Sequence, residues 1–278
     1  MSGAALARLR VQLTYLCRHG RIARLSTPHL FTELIQHRKL YERDPRFPRL
    51  ADKVAVKDEV AAILGPEWII PTLWHGRELP ARPHWPLPLV VKSRHGCNQR
   101  AFVRSPQQDW EQLRRRTRRW VTRRYGYWLD EWLYTGITPG LLIEPFVGAS
   151  GVLPIDYKLF VFGGRVAFIQ VHLERETAHR WIVLDRDWRR RTVSTDAPPC
   201  PRSMPEMIRA AETLGGDFDF VRVDFYDIAG QPKFGEMTFY PGSGLYPLDP
   251  AELDAEMGGL WQAATEQRRR NARSAASL

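Results

Sequence analysis

The alternation of apolar and polar positions divides the chain into a helical start, a mixed middle and a hairpin-rich end. Leu6, Leu9, Leu13 and Leu16 recur at helical spacing, and Thr32 to Tyr41 forms a second amphipathic stretch ended by Asp44-Pro45. Ala51 to Leu64 predicts a further helix stopped by Gly65-Pro66. Trp68 to Leu73 predicts a strand with a proline at its centre. Pro80 to Pro88 is a stiff connector that runs into a buried strand, Leu87 to Lys92, followed by a polar loop from Ser93 to Arg100. Phe102 and Val103 restart a strand, Pro106 to Trp128 predicts an arginine-rich helix, and Leu141 to Val147 a strand. Tyr157 to Phe162 and Arg165 to Val171 form a hairpin around Gly163-Gly164. Val183 to Pro201 reads as a polar surface excursion, and Pro205 to Leu214 as a helix capped by Gly215-Gly216. Phe220 to Asp227 and Pro232 to Phe239 make a second hairpin, and residues 250–265 a last helix before a basic tail. Antiparallel hairpins without strand–helix–strand alternation predict an α+β class.

Composition narrows the classes. With 278 residues, 44% hydrophobic and 26% charged, the chain is globular and long enough to bury a core without disulfide or metal staples. Cys17, Cys97 and Cys200 are too widely spaced for a disulfide framework or a cysteine-built zinc site, which fits a reducing cytoplasm. No apolar run approaches the ~20 residues of a membrane span. Arg8, Arg10 and Gln12 interrupt the first helix, which makes a poor signal peptide. A net charge of +10 suits nucleic acid, an anionic membrane or phosphorylated ligands. Only six of the 41 basic residues are lysines (39, 53, 57, 92, 158 and 233). Each marks a place where a compact ammonium persists against a strong arginine bias.

Three constellations carry chemistry. Arg222 and Asp224 share one face of the first strand of the second hairpin, and Glu236 and Thr238 one face of the second strand. The hairpin sets these faces side by side. Two carboxylates and a hydroxyl there suit Mg²⁺, and the arginine suits phosphate. A solvated face with cross-strand ion pairs would read the same way. Two features favour a site: acidic residues sit centrally in apolar runs, and Pro241-Gly242-Ser243-Gly244 follows as a loop able to present backbone N–H groups to an anion. Secondly, Lys92 lies where a strand meets the loop Ser93-Arg94-His95-Gly96-Cys97-Asn98, a place for phosphate or equally for a snorkelling side chain. Thirdly, Glu144-Pro145-Phe146-Val147 and Asp156-Tyr157-Lys158 could present backbone groups and carboxylates to an adenine and ribose.

Together these motifs resemble the ATP-grasp superfamily and, within it, the TupA-like (teichuronopeptide biosynthesis) ATP-grasp family. The resemblance runs from about Pro28 to Trp261 and includes Ala51 to Lys57, Leu89 to Gly96, Asp156 to Phe160 and Phe220 to Gly244. It implies an ATP-grasp fold of two α+β lobes clasping ATP, with an N-terminal helical extension. The corresponding division is 1–50 helical segment, 51–145 N-lobe with phosphate-binding lysines and a lid loop, 146–265 C-lobe with the Mg²⁺ site, and 266–278 frayed tail. By the same resemblance Lys53 and Lys92 hold ATP phosphates under a loop containing Gly96. Glu144 to Val147 form the adenine hinge, and Asp156 and Lys158 belong to the nucleotide site. Asp224, Glu236 and Thr238 bind Mg²⁺, Arg222 steadies the transferring phosphoryl group, and Pro241, Gly242, Ser243 and Gly244 receive the acyl substrate. Thr238 departs from the pattern, where an asparagine is usual. The implied reaction joins a carboxylate to an amine through an acyl phosphate, with small or polymer-linked substrates in surface-polymer biosynthesis.

Two other classes match part of the sequence. Seven arginines between Arg114 and Arg124, with Trp120, Tyr125, Tyr127 and Trp128 nearby, would suit a nucleic-acid-binding module. A solvated helix face accounts for them better, and no nucleic-acid partner is expected. Asp185-Arg186-Asp187 matches the D-x-D of a glycosyltransferase but reads as a surface turn. The helix around Arg8 to Arg24 leaves peripheral membrane association open, although packing within the chain is the more economical account.

Overall fold

The structure, a computed structural model, describes residues 3–123, 125–148, 152–174, 176 and 179–275. Two compact units are present: Arg43–Pro154, and Met1–Glu42 together with Ile155–Leu278.

The larger unit is built on a five-stranded antiparallel sheet of order β7-β6-β5-β8-β9, with β5 Asp156–Phe162, β6 Arg165–Leu173, β7 Arg180–Asp185, β8 Phe220–Ile228 and β9 Gln231–Thr238. Strand alternation gives this sheet one wholly apolar face, with Leu159, Val161, Val221 and Val223 fully buried. Helix α6 (Met204–Gly215) packs there, and Gly215 allows it close: a Cβ would lie 2.7 Å from Val161 Cγ1. The opposite face changes character half-way along the strands. Phe160, Phe162 and Phe220 lie under Phe31 of α2 (Phe31–Tyr41) and Trp261 of α7 (Glu252–Ala275), with ring centroids 4.5–6.2 Å apart. One register step further the same face turns polar, beginning at Arg222 opposite Phe160.

Helix α1 (Gly3–His19) packs through Val11 and Tyr15 against Ala23, Leu25 and Leu40. Leu6, Leu9, Leu13 and Leu16, whose spacing suggested the packed face, are instead 40–52% exposed. The reason is the return segment: Gln12 exchanges hydrogen bonds of 2.9 and 3.0 Å with the backbone of Ala23, and Tyr15 Oη bonds Thr32 Oγ1 at 2.9 Å. Those polar contacts choose the face that turns inward.

The smaller unit has a four-stranded antiparallel sheet of order β1-β4-β2-β3, from β1 Trp74–Gly76, β2 Leu89–Ser93, β3 Arg100–Val103 and β4 Leu141–Pro145. Leu113, Trp120 and Val121 of α5 (Trp110–Thr122) join its core with Leu89, Val91, Leu141 and Ile143. Asp109 caps α5 by accepting from Gln112 N at 2.8 Å, so the helix starts later than Pro106.

Several expectations meet a different structure. The helix expected over Ala51–Leu64 is two, α3 (Arg46–Ala51) and α4 (Ala55–Leu64), because Asp52 turns its carboxylate onto the N–H of Val54 at 3.0 Å. The strand expected over Trp68–Leu73 is absent; a 3₁₀ turn at Pro66–Trp68 precedes it and pairing begins only at Trp74. The excursion expected from Val183 begins inside β7. The tail expected to fray continues α7 to Ala275. The units also divide the chain differently from the segments 1–50, 51–145, 146–265 and 266–278. Residues up to Glu42 join the larger sheet because Arg38 ion-pairs with Asp219 and donates to Phe220 O at 2.8 Å. Residues 43–50 join the smaller unit, where Phe47 stacks on Trp132.

Candidate functional site

On the polar half of the larger sheet, register alone makes neighbours of residues far apart in sequence. Lys158 lies opposite Asp224, Asp224 opposite Glu236, and Arg222 opposite Thr238. Arg222 grips Asp224 with both forks, Nε to Oδ1 and Nη2 to Oδ2, each at 2.7 Å. Its Nη2 also donates to Glu236 Oε1 at 3.2 Å and Thr238 Oγ1 at 3.1 Å, while Thr238 donates to Glu236 Oε1 at 3.1 Å. Lys158 Nζ bridges Asp156 at 2.8 Å and Asp224 at 2.5 Å. The two carboxylates expected to meet therefore share one face and one guanidinium. A bulge between Asp224 and Phe225 shapes the junction. Gly235 sits within it, where a Cβ would come 3.0 Å from the carbonyl oxygen of Asp224.

Burial works against every charge here. It raises Asp224 above the ordinary aspartate range, opposed by Arg222 and Lys158. Desolvation would lower Lys158, yet Asp156 and Asp224 outweigh it and the lysine is raised; Arg222 is raised likewise by Asp224. Next along the face, His172 stands opposite Asp156, and its Nδ1 lies 2.8 Å from His179 Nε2. Desolvation and then Lys158 lower His172 to about 3, which keeps it neutral.

The smaller unit holds a second cluster. Glu144 of β4 is buried and pairs with both Lys57 of α4 and Lys92 of β2, the latter at 2.5 Å. Lys57 also donates to Ile70 O and Thr72 Oγ1, each at 2.7 Å, which uses all three ammonium hydrogens. That tertiary demand explains why residues 68–73 form no strand. Burial would raise Glu144, but Lys92 and Lys57 outweigh it and hold the carboxyl below its ordinary value. Lys53 Nζ donates to Gly96 O at 2.9 Å, and Asp52 accepts from Arg94 Nε at 2.6 Å, so the Ala51–Lys57 segment grips the loop after β2.

A family model described as TupA-like ATPgrasp matches residues 33–262. The chain belongs to the TupA-like ATP-grasp family. Its α+β fold is the ATP-grasp fold. Among solved structures, the chain is similar to a D-alanine–D-alanine ligase from Bacillus anthracis complexed with ATP. That likeness has 14% identity and a TM-score of 0.49, covering 81% of this chain and 68% of the ligase. It is also similar to the D-cycloserine synthetase DcsG, at 19% identity and a TM-score of 0.47, covering 81% of this chain and 72% of that one. A third likeness is to the ATP-grasp ligase PsnB complexed with a phosphomimetic variant of minimal precursor, Mg and ADP, at 11% identity and a TM-score of 0.42. It covers 80% of this chain and 60% of that one. No curated protein matches the chain.

In this TupA-like ATP-grasp protein the Pro241–Gly244 segment is one tight turn with Gly242, Ser243 and Gly244 all at positive φ, 54°, 56° and 64°. A serine is strained there, at a cost of about 1–3 kcal/mol, unless its surroundings hold it. They do. Buried Lys39 donates to Ser243 O at 3.2 Å and to its Oγ at 3.1 Å. Gln36 donates to the carbonyls of Ser243 and Gly244 at 2.8 and 3.1 Å, and His19 Nε2 lies 3.0 Å from Gly244 O. The chain's N-terminal helices α1 and α2 thus build the loop from behind. Sequence reasoning assigned no role to Gln36, Lys39, Lys57 or His172. The scarcity of lysine was the available signal, since Lys39, Lys53, Lys57, Lys92 and Lys158 all lie in these clusters.

The competing motifs resolve differently. Arg114 and Arg118 pair with Glu78, and Arg116 lies 5.2 Å over the ring of Trp120, as on a solvated helix face; Arg124 lies outside the described residues. Asp185 closes a turn by accepting from the N–H of Asp187 and Arg189, each at 2.9 Å. Among the described residues, no helix is long and apolar enough to cross a membrane.

Proposed function

We propose that this protein is an ATP- and Mg²⁺-dependent ligase that joins a carboxylate to an amine through an acyl phosphate, in the biosynthesis of a cell-surface or exported polysaccharide or peptide polymer. The observation that carries the reading is the meeting of Asp224 and Glu236 over one sheet face with Arg222 between them, in a chain that belongs to an ATP-grasp family.

The donor set fits Mg²⁺: the groups facing one another are carboxylate and hydroxyl oxygens, which a hard cation prefers, and buried Asp224 supplies a ligand that solvent cannot easily displace. ATP supplies the phosphoryl group that activates the acyl substrate, and Mg²⁺ supplies positive charge against the phosphate oxygens. The chain's own residues do the rest. Asp224, Glu236 and Thr238 hold the cation, with the threonine hydroxyl a weaker third ligand than an amide. Arg222, which adjoins Asp224 and Glu236, would stabilise charge on the transferring group. Asp156 takes the ribose and Lys158 an adjacent phosphate oxygen. Lys53 and Lys92 hold the phosphates together with the loop containing Gly96. The backbone of Glu144 to Val147 takes the adenine, because the Glu144 side chain is committed to its two lysines. The left-handed turn at Pro241, Gly242, Ser243 and Gly244 positions the acyl group.

Lys57 makes the lysine exchange affordable in charge terms. When Lys92 turns to a phosphate, Lys57 keeps buried Glu144 paired. The test is a thermal-shift titration with ATP and Mg²⁺ on the wild type and on Lys92→Ala. The wild type should be stabilised by several degrees only when both are present, and the variant much less. No Mg²⁺-dependent stabilisation of the wild type would end the nucleotide assignment.

A further inference from the structure

Among the described residues the leucines on the outer face of α1 stay exposed, and the chemistry of that face is specific. Leu6, Leu9, Leu13 and Leu16 project from it at 44%, 44%, 52% and 40% exposure, and Ile22 just beyond the helix is 66% exposed. At 100° per residue these leucines fall within one stripe, nearly opposite buried Val11 and Tyr15. Single exposed leucines need no explanation, but four on one ridge do. The charge around the ridge has one sign. Residues 1–32 contain five arginines (8, 10, 18, 21 and 24) and no acidic residue; the first is Glu33. Of these, Arg21 is engaged with Glu33 and Asp254, while Arg8 and Arg18 are exposed on the helix itself.

We infer that α1 docks the protein on an anionic membrane surface, with the four leucines in the headgroup–acyl boundary and the basic residues flanking the ridge against lipid phosphates. An apolar ridge in a helix whose charged residues are all basic is the composition such interfacial helices use. Charge selects this occupant over a second copy of the chain, since two copies meeting through α1 would bring the six arginines of the two helices together without one carboxylate from either helix. The helix is also rigidly presented, through Gln12 to Ala23 and Tyr15 to Thr32. Its inner face touches the acyl-loop candidate, His19 to Gly244 O at 3.0 Å. Docking would set that loop beside the lipid surface, which suits a substrate carried on a lipid; this last step rests on the proposed ligase reading, whereas the docking does not.

Flotation of the full chain with vesicles tests it. Phosphatidylcholine vesicles with phosphatidylglycerol should carry the wild type, and pure phosphatidylcholine should not. Leu9→Gln/Leu13→Gln should lower partitioning about tenfold, since both changes remove apolar surface only. Arg8→Gln should weaken binding and flatten its salt dependence. Should the leucine variant fold poorly, exposed Cys17 at the edge of the ridge takes an environment-sensitive fluorophore in a Cys97→Ser/Cys200→Ser background. Its emission should shift to the blue on anionic vesicles alone. Wild type that stays with the aqueous phase, or a leucine variant that floats equally well, overturns the inference. So does a concentration-dependent dimer dispersed by Leu9→Gln/Leu13→Gln, which would make the ridge a self-interface. Loss of nucleotide binding with flotation intact would strike the ligase reading alone.

Discussion

On the larger sheet three carboxylates, Asp156, Asp224 and Glu236, share two cations, Lys158 and Arg222; in the smaller unit two lysines, Lys57 and Lys92, share the one carboxylate of Glu144. Asp224 and Glu144 are buried at the centres of the two clusters, and both clusters resemble structural ion-pair networks. Their make-up separates them: carboxylates predominate among the named groups of the first and lysines among those of the second.

The sharpest break of that comparison is Asp224→Asn. It removes one carboxylate charge while keeping shape, and Mg²⁺-dependent phosphate release should fall about 100- to 1,000-fold in a steady-state assay. Retained turnover would mean that the sheet cluster is structural. Next in size is Lys57→Met. Glu144 then has Lys92 as its remaining lysine, and withdrawing it strands a buried carboxylate, so ATP affinity by calorimetry should fall about tenfold. Adding Lys57→Met to Glu144→Gln should change affinity less than twofold, because the charge Lys57 answers has gone.

The clusters also differ in their response to acid. His172 is held neutral in the fold, lowered to about 3 by desolvation and by Lys158, with Asp156 opposing and Arg222 and His179 adding to the lowering. Below pH about 6.5 the unfolded chain binds a proton there that the folded chain refuses, so stability falls as pH drops toward 3. Glu144 is lowered, so its contribution is complete above about pH 4.3 and is lost only as pH falls through its lower folded value. Burial lowers His19 and His95 as well, and they add to the upper slope. The readout is therefore the difference between wild type and His172→Gln in melting temperature from pH 7 to 5, which should be a shallower decline in the variant. The smallest effect expected is that of Thr238→Asn, a few-fold gain in apparent Mg²⁺ affinity from an amide oxygen in place of a hydroxyl. No gain would place Thr238 outside the metal's ligands.

What the chain's own pattern determined is local. Alternation in two strands put Arg222 and Asp224 on one face and Glu236 and Thr238 on another, and a two-residue turn made those faces neighbours, so the acidic pair was readable from sequence. Lysine scarcity pointed to Lys39 and Lys57 without saying what they hold. Only tertiary structure decided their partners, because Ser243 and Glu144 lie 204 and 87 residues away. It also decided which face of α1 turns inward. The leucine period is equally regular whether it meets a core or a solvent, and two hydrogen-bonding side chains, Gln12 and Tyr15, tipped the helix the other way. Periodicity records that a helix has an apolar side, whereas the direction of that side is set by contacts that exist only once distant segments have met.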